Sequence, residues 1–386
     1  MPGVSILGTG LAGLGHAGGR TDMEILAQAS GRAVRSSGLK MSDIDGVITA
    51  SLTSGWWTTR VAEYLGLRPR FSESTMFGGS SFIAALITAE MAIHADRCSN
   101  VLICYGATPR STGNNTERNR MRAALDPQPY EHPFRLINPV SSYALAASRH
   151  MAEFGTTREQ LAEVAVAARA WAELNPDATL REPLTLAEVL DSPMISDPLS
   201  VRDCCLVTDG AAAFVVSASD APQRSDLVPV RVAGVGHAHD HRQISEMPDL
   251  TRTAAVASGR EAFRRAKMAP TDIDVLEIYD AFTITPIMFL EDLGFCEKGE
   301  GGPLAASGRI APGGDLPMNT NGGGLSCVHP GMYSAFLVVE AVAQLRGEAG
   351  ARQVPGARTA LVHGNGGVFS SQATAILTTT GGGPHE

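Results

Sequence analysis

Four short motifs in this 386-residue chain carry side chains suited to moving a proton beside a developing negative charge. Asn319-Thr-Asn-Gly-Gly-Gly-Leu-Ser-Cys-Val-His-Pro-Gly-Met-Tyr333 sets His329 behind three glycines and before an apolar helical run to Leu345. Imidazole titrates near neutral pH, so His329 at a helix start can exchange protons next to an anion. Pro330 suits the first helical position, where a missing N–H costs nothing. Tyr279-Asp-Ala-Phe282 follows the apolar run 275–278 and supplies the Tyr279 phenol and the Asp280 carboxylate. His363-Gly-Asn-Gly-Gly367 puts a second imidazole after another apolar run, and Phe77-Gly-Gly-Ser-Ser81 opens an apolar helix. Gly79, Ser80, Gly323, Gly324 and Gly366 are expected to bind substrate, presenting donors to an oxyanion. The inventory fits enolate chemistry beside a carbonyl, in which one base moves a proton while donors hold the oxyanion.

The elements that must position these groups are legible as apolar runs and amphipathic periods. Val4–Gly10, Gly46–Ser51 and Asn100–Gly106 read as buried strands, and Thr21–Ser37 as a helix with Met23, Ile25, Leu26, Ala29 and Val34 inward. Gly8-Thr-Gly10 does not open a helix at dinucleotide-loop spacing, which excludes a Rossmann nucleotide site there. From residue 228 the pattern starts again: Val230–Gly236 echoes the first strand, 251–267 the first helix, and Asp272-Ile-Asp274 repeats Asp43-Ile-Asp45. Ordered echoes imply two similar β/α halves packed as a pseudo-dimer. Residues 1–106 with 203–222 form the first half, 107–202 a helical insertion, and 223–386 the second half. Residues 203–216 are expected to be continuous strand, with helices at 141–154 and 157–175.

Composition bounds the partners. A hydrophobic content of 44% with 18% charged residues indicates an ordinary globular protein. A net charge of −9 with no basic run argues against nucleic acid or an anionic membrane surface. No signal core or spanning stretch is present, and six scattered cysteines suit a reducing cytoplasm better than a disulfide framework. His237-Ala-His-Asp-His241 has ligand-like alternation, but no fourth ligand is apparent, so no metal is assigned and the segment is expected to line a loop near the pocket. The arginine-rich loop 110–122 is read by default as solvated, the alternative being a contact for ligand phosphates.

Tyr279-Asp-Ala-Phe282, then the glycine loop with His329-Pro-Gly, then His363-Gly-Asn-Gly-Gly367 resemble, in that order, the thiolase superfamily. The likeness covers essentially the whole chain and is nearest to the sterol-carrier or lipid-transfer-type branch. It implies an α/β fold whose duplicated βαβαβ halves form a five-layer αβαβα core with an inserted helical loop domain. Thiolases carry Asn-Glu-Ala-Phe at the position of Tyr279, their Gly-His-Pro histidine matches His329, and their second catalytic cysteine falls at His363. The resemblance therefore implies proton transfer and oxyanion binding by His329 and His363. The nucleophilic cysteine is absent, since Gly79 or Ser80 stands in its place. Steroid side-chain aldolases of this branch also lack it. They cleave β-hydroxyacyl-CoA by retro-aldol chemistry with a small partner carrying an OB-fold and a zinc ribbon, although they tend to have tyrosine near position 329. We therefore expect a C–C bond-making or -breaking enzyme acting beside an acyl-CoA thioester, favoured as a cysteine-independent aldolase with Tyr279 and Asp280 working on the hydroxyl. The alternatives are acyl transfer or thiolysis using Ser80, Cys327 or a partner subunit's nucleophile, and a non-catalytic acyl-CoA-binding subunit. CoA enters as part of the substrate, with no tightly bound cofactor. A homodimer and the small partner follow from the same likeness.

Overall fold

The computed structural model describes residues 3–52, 54–113, 130–219 and 228–379. Residues 114–122 of the arginine-rich loop lie outside these. The first half begins with β1 (Val4–Gly15) and α1 (Asp22–Ser36), followed by β2 (Gly46–Thr49), α2 (Trp57–Tyr64) and β3 (Phe71–Glu73). It continues with α3 (Ser81–His94) and β4 (Asn100–Ala107). Then come α4 (Val140–Phe154), α5 (Arg158–Glu173), α6 (Leu186–Leu190) and a hairpin of β5 (Met194–Ser196) and β6 (Leu199–Ser200), before β7 (Asp209–Ala218). The second half holds β8 (Val230–His239), α7 (Ala255–Ala266), β9 (Val275–Ile278), α8 (Ile284–Asp292), α9 (Gly301–Ala306), α10 (Ser334–Arg346), β10 (Thr359–Gly366) and β11 (Ser371–Thr379).

Strand order is β3-β2-β4-β7-β1-β8-β11-β10-β9, so two similar sheets meet edge to edge. Each half repeats one pattern: β1 and β8 lie antiparallel to β7 and β11, which lie antiparallel to β4 and β10. Those in turn run parallel to β2 and β9. The seam is short, with Ser5 opposite Arg231 and Ile6 opposite Val230. Helices α3 and α10 lie between the two sheets and touch strands of both, while α1 and α7 cover the outer faces. This is the five-layer αβαβα arrangement.

Local chemistry explains the duplication. Thr21 caps α1 with a capping box, its hydroxyl accepting from the Glu24 N–H while the Glu24 carboxylate accepts from the Thr21 N–H. Asp45 accepts from the N–H groups of Ser99 and Asn100 at the start of β4, and Asp274 accepts from Arg358 and Thr359 at the start of β10. The repeated aspartate thus pins the same strand end in each half. Gly8 and Gly10 let α1 lie directly on β1, where an added Cβ would fall 2.1 Å from the Ala33 carbonyl oxygen and 2.3 Å from that of Ala29. Gly234 and Gly236 do the same against α7. The early glycines are therefore packing residues.

Two expectations about backbone need correction. Residues 203–208 are not strand. They cross to the second half, where the N–H of Cys205 donates to the Ala281 carbonyl and that of Leu206 to the Gly324 carbonyl. Pro330 does not open a helix either, since α10 starts only at Ser334 after a bend with Gly331 at φ 114°. No helix among the described residues is long and apolar enough to cross a membrane.

Candidate active site

Strand β9 delivers Tyr279 by its backbone, whose N–H donates to the His363 carbonyl of β10 at 2.9 Å. The Tyr279 ring then lies across the start of α3. A Cβ placed on Gly79 would sit 2.4 Å from Tyr279 Cε2, 2.6 Å from Cζ and 2.3 Å from the Asn365 carbonyl oxygen. The space a side chain would take at position 79 is therefore filled by the Tyr279 ring. Ser80 cannot substitute as a nucleophile. It is fully buried, and its hydroxyl is engaged with the Phe77 carbonyl at 3.0 Å and Ser371 Oγ at 2.9 Å.

The Tyr279 hydroxyl is a hub. It donates to the Gly331 carbonyl, lies 3.0 Å from His329 Nε2, and accepts from the Tyr333 N–H at 3.4 Å. With the phenolic proton on Gly331, His329 carries its proton on Nε2 and donates to the phenol oxygen. Burial holds the phenol well above its ordinary range, and enclosure pushes His329 down to about 4, so both are neutral at pH 7. Tyr279 is buried whereas His329 stays partly exposed, so His329 offers the accessible side of the pair.

Residues absent from the sequence-based inventory build the frame around this pair. The Tyr105 hydroxyl donates to the Pro330 carbonyl at 2.7 Å and accepts from the Met332 N–H at 3.2 Å, holding the segment that carries His329. A tyrosine inside an otherwise aliphatic strand was the available signal. Asn319 takes a left-handed φ of 53° and its Oδ1 accepts from the Ile278 N–H at 2.7 Å. Asn321 Oδ1 accepts from the Gly323 N–H and the Tyr333 hydroxyl.

Asp280 faces the glycine loop and not the phenol. Its carboxylate accepts from the N–H of Gly324 at 2.7 Å and of Leu325 at 3.1 Å, and desolvation lifts its pKa to about 7 despite these donors. The expectation that Asp280 works on a hydroxyl is thus corrected to one of shaping the loop. Gly323 and Gly324 are corrected with it, because their N–H groups are bonded to Asn321 and Asp280 and do not face an oxyanion. Gly366 allows close approach, since an added Cβ would collide with the Phe77 carbonyl.

His363 is not brought to the pair. Its Nδ1 lies 2.9 Å from Thr374 Oγ1 and its Nε2 lies 3.0 Å from Gln372 Oε1, and the ring stands edge-on to Phe289 of α8 at 4.4 Å between centroids. The imidazole therefore faces the outer helices, fully buried and pushed down to about 3. Alternation along β10 turns the next residue inward: a Cβ on Gly364 would lie 3.1 Å from the Gly79 carbonyl oxygen. Two of the three alternating imidazoles are engaged in hydrogen bonds as well, and His239 stands against the rings of Phe77 and His237. His237 Nε2 meets Ser371 Oγ at 2.9 Å beside Phe77, and His241 bonds Asp240 and the Val368 carbonyl. Among the described residues no group of His, Cys, Asp and Glu is arranged to hold a metal. Cys327 is buried and its thiol is pushed up by desolvation, which disfavours a thiolate. A cavity of about 510 Å³ adjoins the glycine loop, lined among others by Arg169, Arg202, Cys204, Leu206, Leu325 and Ser326, though not by Tyr279 or His329.

Residues 236–379 match the thiolase C-terminal domain-like family. The chain is 33% identical to the acetyl-CoA acetyltransferase of Methanothermobacter thermautotrophicus over 98% of its own length and 100% of that protein. It is 31% identical to the 17-hydroxy-3-oxo-4-pregnene-20-carboxyl-CoA lyase of Mycobacterium tuberculosis, over 95% of its length and 97% of that protein. The solved Ltp2-ChsH2(DUF35) aldolase superposes with a TM-score of 0.87 at 28% identity, covering 98% of each chain. The chain belongs to the thiolase superfamily, on the branch of sterol-carrier-type thiolases and steroid side-chain aldolases.

Proposed function

We propose that this protein is an acyl-CoA C–C lyase that cleaves a β-hydroxyacyl-CoA by retro-aldol chemistry without an acyl-enzyme. The observation that carries this is the Tyr279 ring over Gly79, which occupies the place of a nucleophile and couples its hydroxyl to His329. In the reaction the Cα–Cβ bond breaks and its electron pair enters the thioester enolate. The β-hydroxyl becomes a carbonyl and loses its proton, and the α-carbon gains one, so a single proton relay serves both ends. Tyr279 and His329 form that relay, with His329 the member that reaches substrate. Asp280 holds the glycine loop in shape, and the cavity beside Leu325 and Ser326 gives room for part of the acyl-CoA.

Support for a lyase comes from the name of the Mycobacterium relative, which also suggests steroid-derived β-hydroxyacyl-CoA as the first substrate to try. The Ltp2-ChsH2(DUF35) neighbour supports a small partner subunit, for which we propose the OB-fold and zinc-ribbon type. We also propose a homodimer, formed along the outer edge strand β3, whose flanking segments expose Leu52, Trp56, Tyr64 and Met76. Acyl transfer is the second reading, favoured by full-length similarity to the Methanothermobacter acetyltransferase. Incubation with acyl-CoA and with β-hydroxyacyl-CoA, each followed by intact-mass analysis, separates the two. Release of a free aldehyde or ketone with unmodified protein supports the lyase. A covalent acyl adduct on any residue overturns it. His329→Ala is expected to lower turnover at least about a hundredfold, in line with loss of a general acid–base.

A further inference from the structure

Behind the glycine loop three oxygens form a buried chain. Thr320 Oγ1 lies 2.8 Å from Glu277 Oε1 of β9 and 2.8 Å from Glu340 Oε1 of α10. All three residues are nearly or fully buried. A threonine hydroxyl has one proton and so can donate across only one of these two contacts. The other contact needs a second proton, which must sit on a carboxyl group. Arg352 decides which one. Its Nε and Nη2 form a two-point contact with Glu340 Oε1 and Oε2 at 2.8 and 2.9 Å, a charge-assisted pairing that Glu277 lacks. Gln344 Nε2 adds donors to Thr320 Oγ1 at 2.9 Å and Glu340 Oε1 at 3.3 Å. No cation bonds to Glu277: Arg352, paired with Glu340, acts on it only weakly, its Oε1 also accepts from the Thr320 N–H at 3.2 Å, and its Oε2 is buried with no hydrogen-bond partner. A carboxylate in that position would leave charge on a bare, desolvated oxygen.

We propose that Glu277 is a permanently protonated acid that donates to Thr320, which donates to Glu340, and that this relay positions the catalytic loop. Its place in the chain gives the relay its leverage. Glu277 sits two residues before Tyr279 on β9, and Thr320 lies between Asn319 and Asn321, the two side chains that fold the loop carrying His329. Besides Glu340 and the Arg352 paired with it, Tyr333, adjoining α10, faces Glu277, and Cys327 faces Glu340 and Arg352. Neither supplies a positive charge that would let Glu277 ionise. Desolvation first and the Glu340 charge second both raise the affinity of Glu277 for its proton. Glu277 is thus a positioning residue, acting on the Tyr279–His329 pair proposed above.

The test uses the full-length protein in three forms: wild type, Glu277→Gln and Glu277→Leu. Infrared difference spectra between wild type and Glu277→Gln at pH 8.5 are expected to show the carbonyl band of one protonated carboxyl in the wild type only. Absence of that band overturns the proposal, and this readout needs no substrate. Glutamine can still donate to Thr320 whereas leucine cannot. With β-hydroxyacyl-CoA, Glu277→Gln should keep kcat within about threefold, and Glu277→Leu should lose about tenfold to a hundredfold with little change in KM, as expected for a displaced catalytic group. Equal activity of all three forms overturns the positioning role, as does a glutamine form as impaired as the leucine form. Should the wild type cleave no substrate, the lyase assignment fails while the infrared result still decides the protonation of Glu277.

Discussion

Replacing Gly79 by alanine tests the central geometric claim. Gly79 does not have a left-handed φ, so alanine adds no backbone strain and the effect comes from space alone. The added methyl would stand 2.3 Å from the Asn365 carbonyl oxygen and 2.4 Å from Tyr279 Cε2. Ordinary contact begins near 3.4 Å, so ring and carbonyl together must retreat by roughly 1 Å in a close-packed core. Overpacking on this scale costs about 1–3 kcal/mol of stability. A displacement of roughly 1 Å in the phenol that contacts His329 costs about a hundredfold in kcat. The assay pairs thermal unfolding with turnover of a β-hydroxyacyl-CoA for Gly79→Ala, Tyr279→Leu and the double variant. Because leucine vacates the ring edge, the double variant should recover roughly 0.5–3 kcal/mol relative to additivity. A Gly79→Ala protein that melts and turns over like wild type, or strictly additive losses in the double variant, would refute the claim that Tyr279 occupies the space above Gly79.

Three further outcomes follow from the same contacts. Tyr279→Phe keeps the ring and removes the hub, so kcat should fall about a hundredfold or more while unfolding free energy drops by only about 1 kcal/mol; turnover within threefold of wild type would remove Tyr279 from the relay. His363→Ala should lower the melting temperature by opening the Thr374–Gln372 network, yet leave kcat of the folded enzyme within about threefold, since its ring faces the outer helices; a selective loss of kcat would restore it to the site. Asp280, lifted to about 7 in the fold, should make stability decline as pH rises from about 4 towards 7, by at most roughly 1.4 kcal/mol per unit, because the folded state retains a proton that the unfolded chain releases. Urea unfolding of Asp280→Asn across that window should lack this slope, and an unchanged slope would rule Asp280 out as its source.

The fold was legible because its signals are local and repeated. Apolar runs, the capping residues around Thr21 and the twin Asp-Ile-Asp segments each act over a few residues, and the structure shows both aspartates doing the same job. The site was legible only as far as its motifs. Tyr279 and His329 meet because β9 and the glycine loop converge, and both stand in recognisable segments. His363 misled because motif position does not say which face of a strand a side chain takes, and a one-residue difference turns it outward. The glycines misled because an N–H at a loop can be bonded within the protein, and the Asp280 and Asn321 acceptors that bond them are distant from or hidden within the chain. The Glu277–Thr320–Glu340 chain left no sequence signal at all, since three polar residues far apart in an apolar context read as surface until the packing joins them.

Helix α3 carries a consequence for how the protein is made. It is apolar on most sides, burying Phe82, Ile83, Ala84, Ala85, Leu86, Ala89 and Ala92, and its far face is covered by β8, β10 and β11 of the second half. A ribosome therefore finishes α3 long before the strands that shield it emerge, and the nascent chain must carry an uncovered greasy helix through most of synthesis. Helices α3 and α10 each pack against strands of both halves, so neither half alone covers its own inner helix. The duplicated layout, despite its repeat character, leaves an apolar helix without its second cover until the later half has been made, the kind of transiently exposed surface on which chaperones act.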